Sequence, residues 1–205
     1  MARPREFDED KVLDAAALCF WSKGYEGTSL RGLIDSTGLT GASLYNAFGD
    51  KRALYKKTLD RYVEGSIAER IRRCELMPPR EAIAAFFAEI IARALGDPDH
   101  KGCMLVNAAL EVAPHDAEFR EAVAAVLARM EEFFRCCIAA GQADGTITRS
   151  QTADDLARHL LGVLVGVRVL ARVRPEKDLL EGVVGPALAL LHGRRNDASK
   201  QRTKR

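Results

Sequence analysis

An all-α protein is the expectation from this sequence, and three observations carry it. Ala, Leu, Arg and Glu, all good helix formers, are abundant, while the strict alternation of half-buried strands is scarce. Apolar residues recur instead at i, i+3, i+4 in long runs cut by Pro and Gly. Residues 28–57, TSLRGLIDSTGLTGASLYNAFGDKRALYKK, read as two short helices joined by a tight turn, with a third helix following at once. About nine helices are predicted, a three-helix helix-turn-helix unit first and a larger helical body after it.

Met1–Phe7 is read as an arm, with Arg3 and Arg5 available to phosphates or a minor groove. Asp8 to Lys23 forms the first helix, its apolar side made of Val12, Leu13, Ala16, Cys19 and Phe20, and Gly24 ends it. Trp21 and Tyr25 are expected to pack against the helix-turn-helix unit. Thr28 and Ser29 suit the N-cap of the next helix, whose inner face is Leu30, Leu33 and Ile34. Thr37-Gly38-Leu39 is the turn, with Gly38 free to take the positive φ that closes a helix. Thr40 caps the second short helix; Leu44 and Phe48 anchor it, leaving Ala42, Ser43, Tyr45 and Asn46 outward. Gly49 and Asp50 stop it and cap a helix beginning Lys51-Arg52.

A short helix with a small, polar outer face and an anchored inner face suits a DNA major groove. Asn46 can bond adenine in two places; Ser43 and Thr40 can serve several bases, and Ala42 or Ala47 can meet a thymine methyl. Lys51, Tyr45, Thr28, Arg31 and Thr40 are the candidate phosphate contacts. No arginine lies in the recognition helix, so part of the specificity is expected from DNA shape and half-site spacing.

These residues also carry a family resemblance. Thr28-Ser29-Leu30-Arg31 through Gly38-Leu39-Thr40, then Ser43-Leu44-Tyr45-Asn46-Ala47-Phe48-Gly49-Asp50-Lys51 and Leu54, resemble the DNA-binding segment of TetR/AcrR-type transcriptional regulators. With the first helix the likeness covers roughly residues 8–60. It implies a ligand cavity inside the C-terminal helices and a four-helix dimer interface formed by the last two helices.

Beyond Asp50 one long helix runs to about Cys74, and Met77-Pro78-Pro79 breaks it. Arg80 to Leu95 follows, amphipathic through Ile83, Phe86, Phe87, Ile90 and Ile91. Cys103 to Val112 stops near Pro114. Asp116 to Ala140 buries Phe119, Val123, Val126, Leu127, Met130, Phe133, Phe134 and Cys137, and Gly141 to Gly145 turns the chain. Thr152 to Val173 and Lys177 to Leu191 complete it, separated by Pro175. Domains are therefore placed at 1–50 (helix-turn-helix), 51–193 (ligand binding and dimerisation) and 194–205 (basic tail). Gly162 and Gly166, four apart beside Leu161, Val165 and Val169, form a face suited to close helix pairing, either with a second copy or within one chain. A two-fold dimer would hold its recognition helices about 34–36 Å apart, or a multiple of that, on a near-palindrome.

Composition excludes several classes. The chain of 205 residues is 47% hydrophobic and 29% charged, ordinary for a soluble globular protein. No apolar run follows Met1, and the longest uncharged apolar stretch, Leu160–Val167, is far short of the roughly 20 residues a bilayer requires. A cytoplasmic protein is expected. Cys19, Cys74, Cys103, Cys136 and Cys137 are odd in number and follow no metal-ligand spacing, so reduced thiols and no cofactor or metal are expected. Residues 1–73 carry 13 Lys and Arg against 11 Asp and Glu; residues 74–193 carry 12 against 17, and 194–205 carry 6 against 1. Affinity for DNA must then come from placement of charge rather than its sum. An enzyme or a plain helical interaction module are the alternatives, but no Gly-rich phosphate loop, CxxC pair or HExxH occurs.

Phe86, Phe87, Met104, Phe133, Phe134 and Val163 are candidate walls of an effector cavity, with Asn107, Glu111 and His159 as its polar members. Cys103 follows Lys101 and Gly102 near a helix start, where charge and amides favour thiolate. The GCMLVN segment is similar to one in a subset of the family, some of which respond to electrophiles or oxidants through cysteine.

Overall fold

Asp8 opens the first helix of the computed structural model, which describes residues 7–192. Its carboxylate accepts from the amides of Asp10 and Lys11 at the head of α1 (Glu9–Gly27). Val12, Ala16, Cys19 and Phe20 form the buried stripe. Regular geometry breaks at Gly24, φ +77°, as the sequence indicated, and one more turn follows. Ser29 rather than Thr28 caps α2 (Leu30–Thr37), accepting from Gly32 N–H, and Gly38 closes it in the left-handed region at φ +70°. Thr40 caps α3 (Gly41–Phe48), whose Leu44 and Phe48 are buried. Asp50 accepts from Ala53 N–H and starts α4 (Lys51–Tyr62).

The connecting helix is continuous, but not uniform. A π-helical stretch, Val63–Ala68, joins α4 to α5 (Glu69–Cys74), a widened turn that apolar periodicity does not distinguish from α-helix. Then come α6 (Pro79–Leu95), α7 (Met104–Glu111), α8 (Ala117–Asp144), α9 (Ala153–Val173) and α10 (Lys177–Ala189). Counting α4 through α5 as one rod leaves nine helices among the described residues. Gly141 does not turn the chain: α8 runs on to Asp144, and Gly145, φ +82°, ends it. A Cβ at Gly141 would meet Ile147 at 2.6 Å, so the absent side chain serves packing. The Arg3 and Arg5 arm and the basic tail lie outside the described residues.

In the body, α8 lies along α9, and α6 packs against α8, α9 and α10. Phe86, Phe87, Phe133 and Phe134 cluster with ring centroids 5.2–6.1 Å apart. The helix-turn-helix unit is fastened to this body at three points. Glu111 of α7 accepts from the amides of Tyr25 (3.0 Å) and Glu26 (2.8 Å). Gly24 must be glycine there, since a Cβ would lie 2.8 Å from that carboxylate and φ is positive. Trp21 Nε1 donates to Gly102 O at 3.2 Å and its ring meets Tyr62 edge-on at 5.1 Å, so Trp21 packs at the junction, not against the recognition unit. Tyr25 packs against Phe20 of α1 and Tyr55 of α4, with Lys51 over its ring, so it too belongs to the junction. Arg52 of α4 donates to Asp116 at 2.6 and 3.0 Å and to Glu118 at 2.7 Å. The Arg52 guanidinium holds the Asp116 carboxyl down at about 2. This clamp therefore favours the fold above the ordinary carboxylate range, near pH 4, and is lost as pH falls toward that depressed value.

Glu111→Ala leaves two backbone amides without their charged acceptor. It is expected to cost about 1–3 kcal/mol in urea unfolding; an unchanged midpoint would show that water replaces the carboxylate without loss.

Candidate nucleic-acid interface and effector cavity

The outer face of the helix-turn-helix unit is built by capping and anchoring. Thr40 Oγ1 accepts from Ser43 N–H at 3.1 Å and donates to Ser43 Oγ at 3.0 Å, presenting both hydroxyls at the tip of α3. With Leu44 and Phe48 inside, Thr40, Ala42, Ser43 and Asn46 are exposed, and Tyr45 is half-buried beside them. Ala47 packs partly against the core, so Ala42 is the methyl that faces out. Arg31 is exposed on α2, and Lys51 Nζ lies 4.5 Å from the centroid of the Tyr25 ring. Seven of the eight residues singled out on sequence thus lie at least partly in the open. Thr28 is the correction: it is 0% exposed, and its hydroxyl donates to Gly24 O at 2.6 Å. It ties α1 to α2 and cannot reach a phosphate.

A cavity of about 1200 Å³ opens between this unit and the body. Its walls are Leu18 and Trp21 of α1, Tyr62 and the π-helical Gly65 and Ser66, Arg93 and Ala94 of α6, the loop 97–102, Met104 of α7, and Arg168 and Ala171 of α9. Behind it Arg70, Phe86, Ile90, Cys103, Leu164 and Arg168 border a void of about 10 Å³, room for about one water. Arg70 is 1% exposed; burial first, then the like charge of Arg168, pulls its guanidinium below the ordinary range. Burial likewise pushes the Tyr62 hydroxyl up.

Two family models match the chain. "Bacterial regulatory proteins, tetR family" covers residues 12–58, and "Tetracyclin repressor-like, C-terminal domain" covers residues 79–184. The chain belongs to the TetR family. It is a DNA-binding transcriptional regulator, not an enzyme. Among its TetR-family relatives, the uncharacterised HTH-type regulator YezE of Bacillus subtilis is 33% identical over 93% of this chain and 100% of its own length. The HTH-type repressor ComR of Escherichia coli is 30% identical over 92% of this chain and 90% of its own. The TetR-family regulator CifR, solved as a cysteine mutant with a 26-base-pair operator duplex, superposes with a TM-score of 0.81. It shares 33% identity, covering 93% of this chain and 100% of that one. No described helix is long and apolar enough to cross a membrane.

Within this TetR-family body the expected cavity walls divide. Met104 lines the large cavity, while Phe86 and Cys103 line the narrow void. Phe87, Phe133 and Phe134 are buried among themselves as core and line neither space. Asn107 is buried with Nδ2 donating to Lys101 O at 3.1 Å, a loop-holding role, and Glu111 is spent on the Tyr25 corner. His159 is exposed on the outer face of α9 and Val163 is half-buried there; neither borders the cavity. The residues missed on sequence are Arg70, Tyr62, Trp21 and Arg168. Arg168 had a legible signal, falling on the buried register of Leu160 and Leu164.

Cys103 is 3% exposed and its Sγ accepts from the Tyr62 hydroxyl at 3.5 Å. Lys101, expected to favour a thiolate there, instead pairs with Asp97 and Asp99. Cys19 and Cys74 are buried too, and burial pushes the half-buried Cys137 thiol up to about 12. Only Cys136 is exposed among the cysteines. Native protein is therefore expected to react with an aromatic disulfide reagent first at one thiol, slowed by the Glu132 carboxylate that holds it protonated, and at all five after denaturation. Rapid native labelling of Cys103, located by peptide mapping, would overturn that order.

Proposed function

We propose that the protein is a cytoplasmic, homodimeric repressor that grips a near-palindromic operator and releases it when a small molecule fills the junction cavity. One observation carries the DNA half: the tip of α3 offers Thr40, Ser43 and Asn46 outward while Leu44 and Phe48 hold its inner side. Asn46 and Ser43 meet base edges, Ala42 a thymine methyl, and Lys51, Arg31, Tyr45 and Thr40 the phosphates. In this reading residues 1–50 are the DNA-binding domain and 51–193 the sensing and dimerising domain, with α4 joining them. The relatives ComR and CifR, named as a repressor and as a regulator bound to operator DNA, support it.

The dimer surface proposed is the outer face of α9 and α10. A Cβ added at Gly162, Gly166, Gly182 or Gly185 meets nothing within 4 Å in the chain, so close packing within one chain does not account for these glycines. Val169, Val173 and Leu190 are exposed beside them. Two such faces can approach closely. Gly166→Leu should keep the helical content of the parent yet sediment as a monomer. A leucine variant that stays dimeric would remove this surface.

For the sensing half, the cavity is walled on one side by α1 and on another by the π-helical stretch, so a ligand there bears on the Trp21 anchor of the reading head and on the rod that carries it. That favours a bound small molecule over modification of the occluded Cys103.

Fluorescence anisotropy on operator selected from a random pool tests the DNA contacts. Lys51→Ala should weaken binding to every sequence and lower the log–log salt slope by about one. Asn46→Ala should cost about 1–3 kcal/mol only where its base is present. Equal losses on all operator variants would reassign Asn46 to the backbone.

A further inference from the structure

Arginines deep in a fold ordinarily come with their counter-charges, because an unpaired buried ion is costly. Two here do not. Arg168, 8% exposed, lies on the cavity wall, and among the described residues it takes part in no hydrogen bond or ion pair. Arg70 lies behind it on the narrow void, with Nε and one terminal nitrogen buried and lacking a well-directed acceptor. Glu89 approaches Arg70 at 3.1 Å, but that one carboxylate is also held by Arg73 at 2.7 Å and by Arg93 at 3.6 Å. Of the other charges on the cavity wall, Asp14 is paired with Arg61, Asp60 with Lys56, Glu64 with Arg72 and Asp97 with Lys101, while Arg93 shares Glu89 at 3.6 Å. The positive charge with no acid beside it is Arg168, which borders both the cavity and the narrow void.

We propose that this cavity takes an amphipathic carboxylate, its head accepting from the Arg168 guanidinium and its apolar body lying against Leu18, Trp21, Met104 and Ala171. The assignment rests on reading the cavity as the effector site. A planar carboxylate matches the guanidinium fork bidentately. A more highly charged phosphate ester would bring a second charge with no free partner, since the acids and bases around Arg168 are paired within the chain. The volume accommodates a ligand of drug-like size, about 300–1000 Å³ of pocket being usual. Arg70 acts through Arg168 by raising the local potential and need not touch the ligand.

Trp21 is the single tryptophan of the chain and forms part of the cavity wall, so its fluorescence reports occupancy without DNA. The full-length protein is titrated with octanoate and with 4-phenylbutyrate, each against its primary amide. Each acid is expected to bind at least about tenfold tighter than its amide, the lower end of what a charge-assisted pair supplies. Arg168→Met should bring the acid to the affinity of the amide, and Arg168→Lys should keep part of the preference. The Tm of ligand-free R168M should equal or exceed the parent's, since an unpaired buried charge has been removed. Equal binding of acid and amide, no response to either acid into the millimolar range, an undiminished preference in R168M, or a collapse of its Tm each overturns the assignment. If the acid binds but operator stays bound in the anisotropy assay, the effector reading fails while the carboxylate site stands.

Discussion

Tyr55 is 2% exposed at the seam of the molecule, with Phe20 4.9 Å and Tyr25 5.0 Å away on the DNA-binding side and Phe119 5.4 Å away on the body. Each such aromatic pair contributes about 0.5–1.5 kcal/mol beyond its buried area, and all three share one ring. The ring belongs to α4, the helix that also packs on α1 and meets α3 and α7. Movement of α4 against the body therefore disturbs the Phe119 contact, the Arg52–Asp116 pair on the same helix and the footing of α3 together. The angle at which α3 is presented thus depends on this seam as well as on its packing against α2.

The fold was legible because its main signals are local. Thr40, Leu44 and Phe48 occupy a cap and two positions one turn apart, and short-range geometry alone places them. The registers of Ile83, Phe86, Phe87, Ile90 and Ile91 were likewise readable, since all five share the buried face of α6. Failures came where a residue's role depends on something distant in sequence. Gly141 looks like a helix stop until Ile147 is found against it, and Trp21 looks like part of the reading head until Gly102, 81 residues away, accepts its N–H. Thr28 was misjudged for a different reason. A hydroxyl before a helix reads as a cap or a surface donor, yet this one turns back to Gly24 O, four residues before it, and is buried there.

The candidate site was legible in one half and opaque in the other, and α9 shows why. His159 and Arg168 lie on the same helix. The histidine attracted notice as a polar group amid apolar neighbours, but it is one residue, about 100°, from the buried Leu160 and faces outward. Arg168 lies two turns beyond Leu160 on the inward stripe. A charge at an inward register was the better signal, and register ranks polar residues more reliably than the apolarity of their sequence neighbours. Of the aromatic candidates only Phe86 borders a void, because Phe87, Phe133 and Phe134 are packed against it and one another.

The π-helical stretch joins these two halves mechanically. It adds one residue to the turn between Tyr55 and Arg70 and places Gly65 and Ser66 on the cavity wall. A ligand in that cavity touches α1 and the α4–α5 rod together, so it can act on the seam without touching α3. Turning an operator-competent population from 99:1 to 1:99 requires a differential affinity of about 5.5 kcal/mol. The contacts fastening the head to the body are a handful of hydrogen bonds and aromatic pairs, each about 1 kcal/mol. The two sums are of the same order, so under the proposed mechanism a ligand of ordinary affinity could displace the head. A larger apolar seam would stabilise the chain further, but it would leave no ligand of ordinary affinity able to move the reading helix.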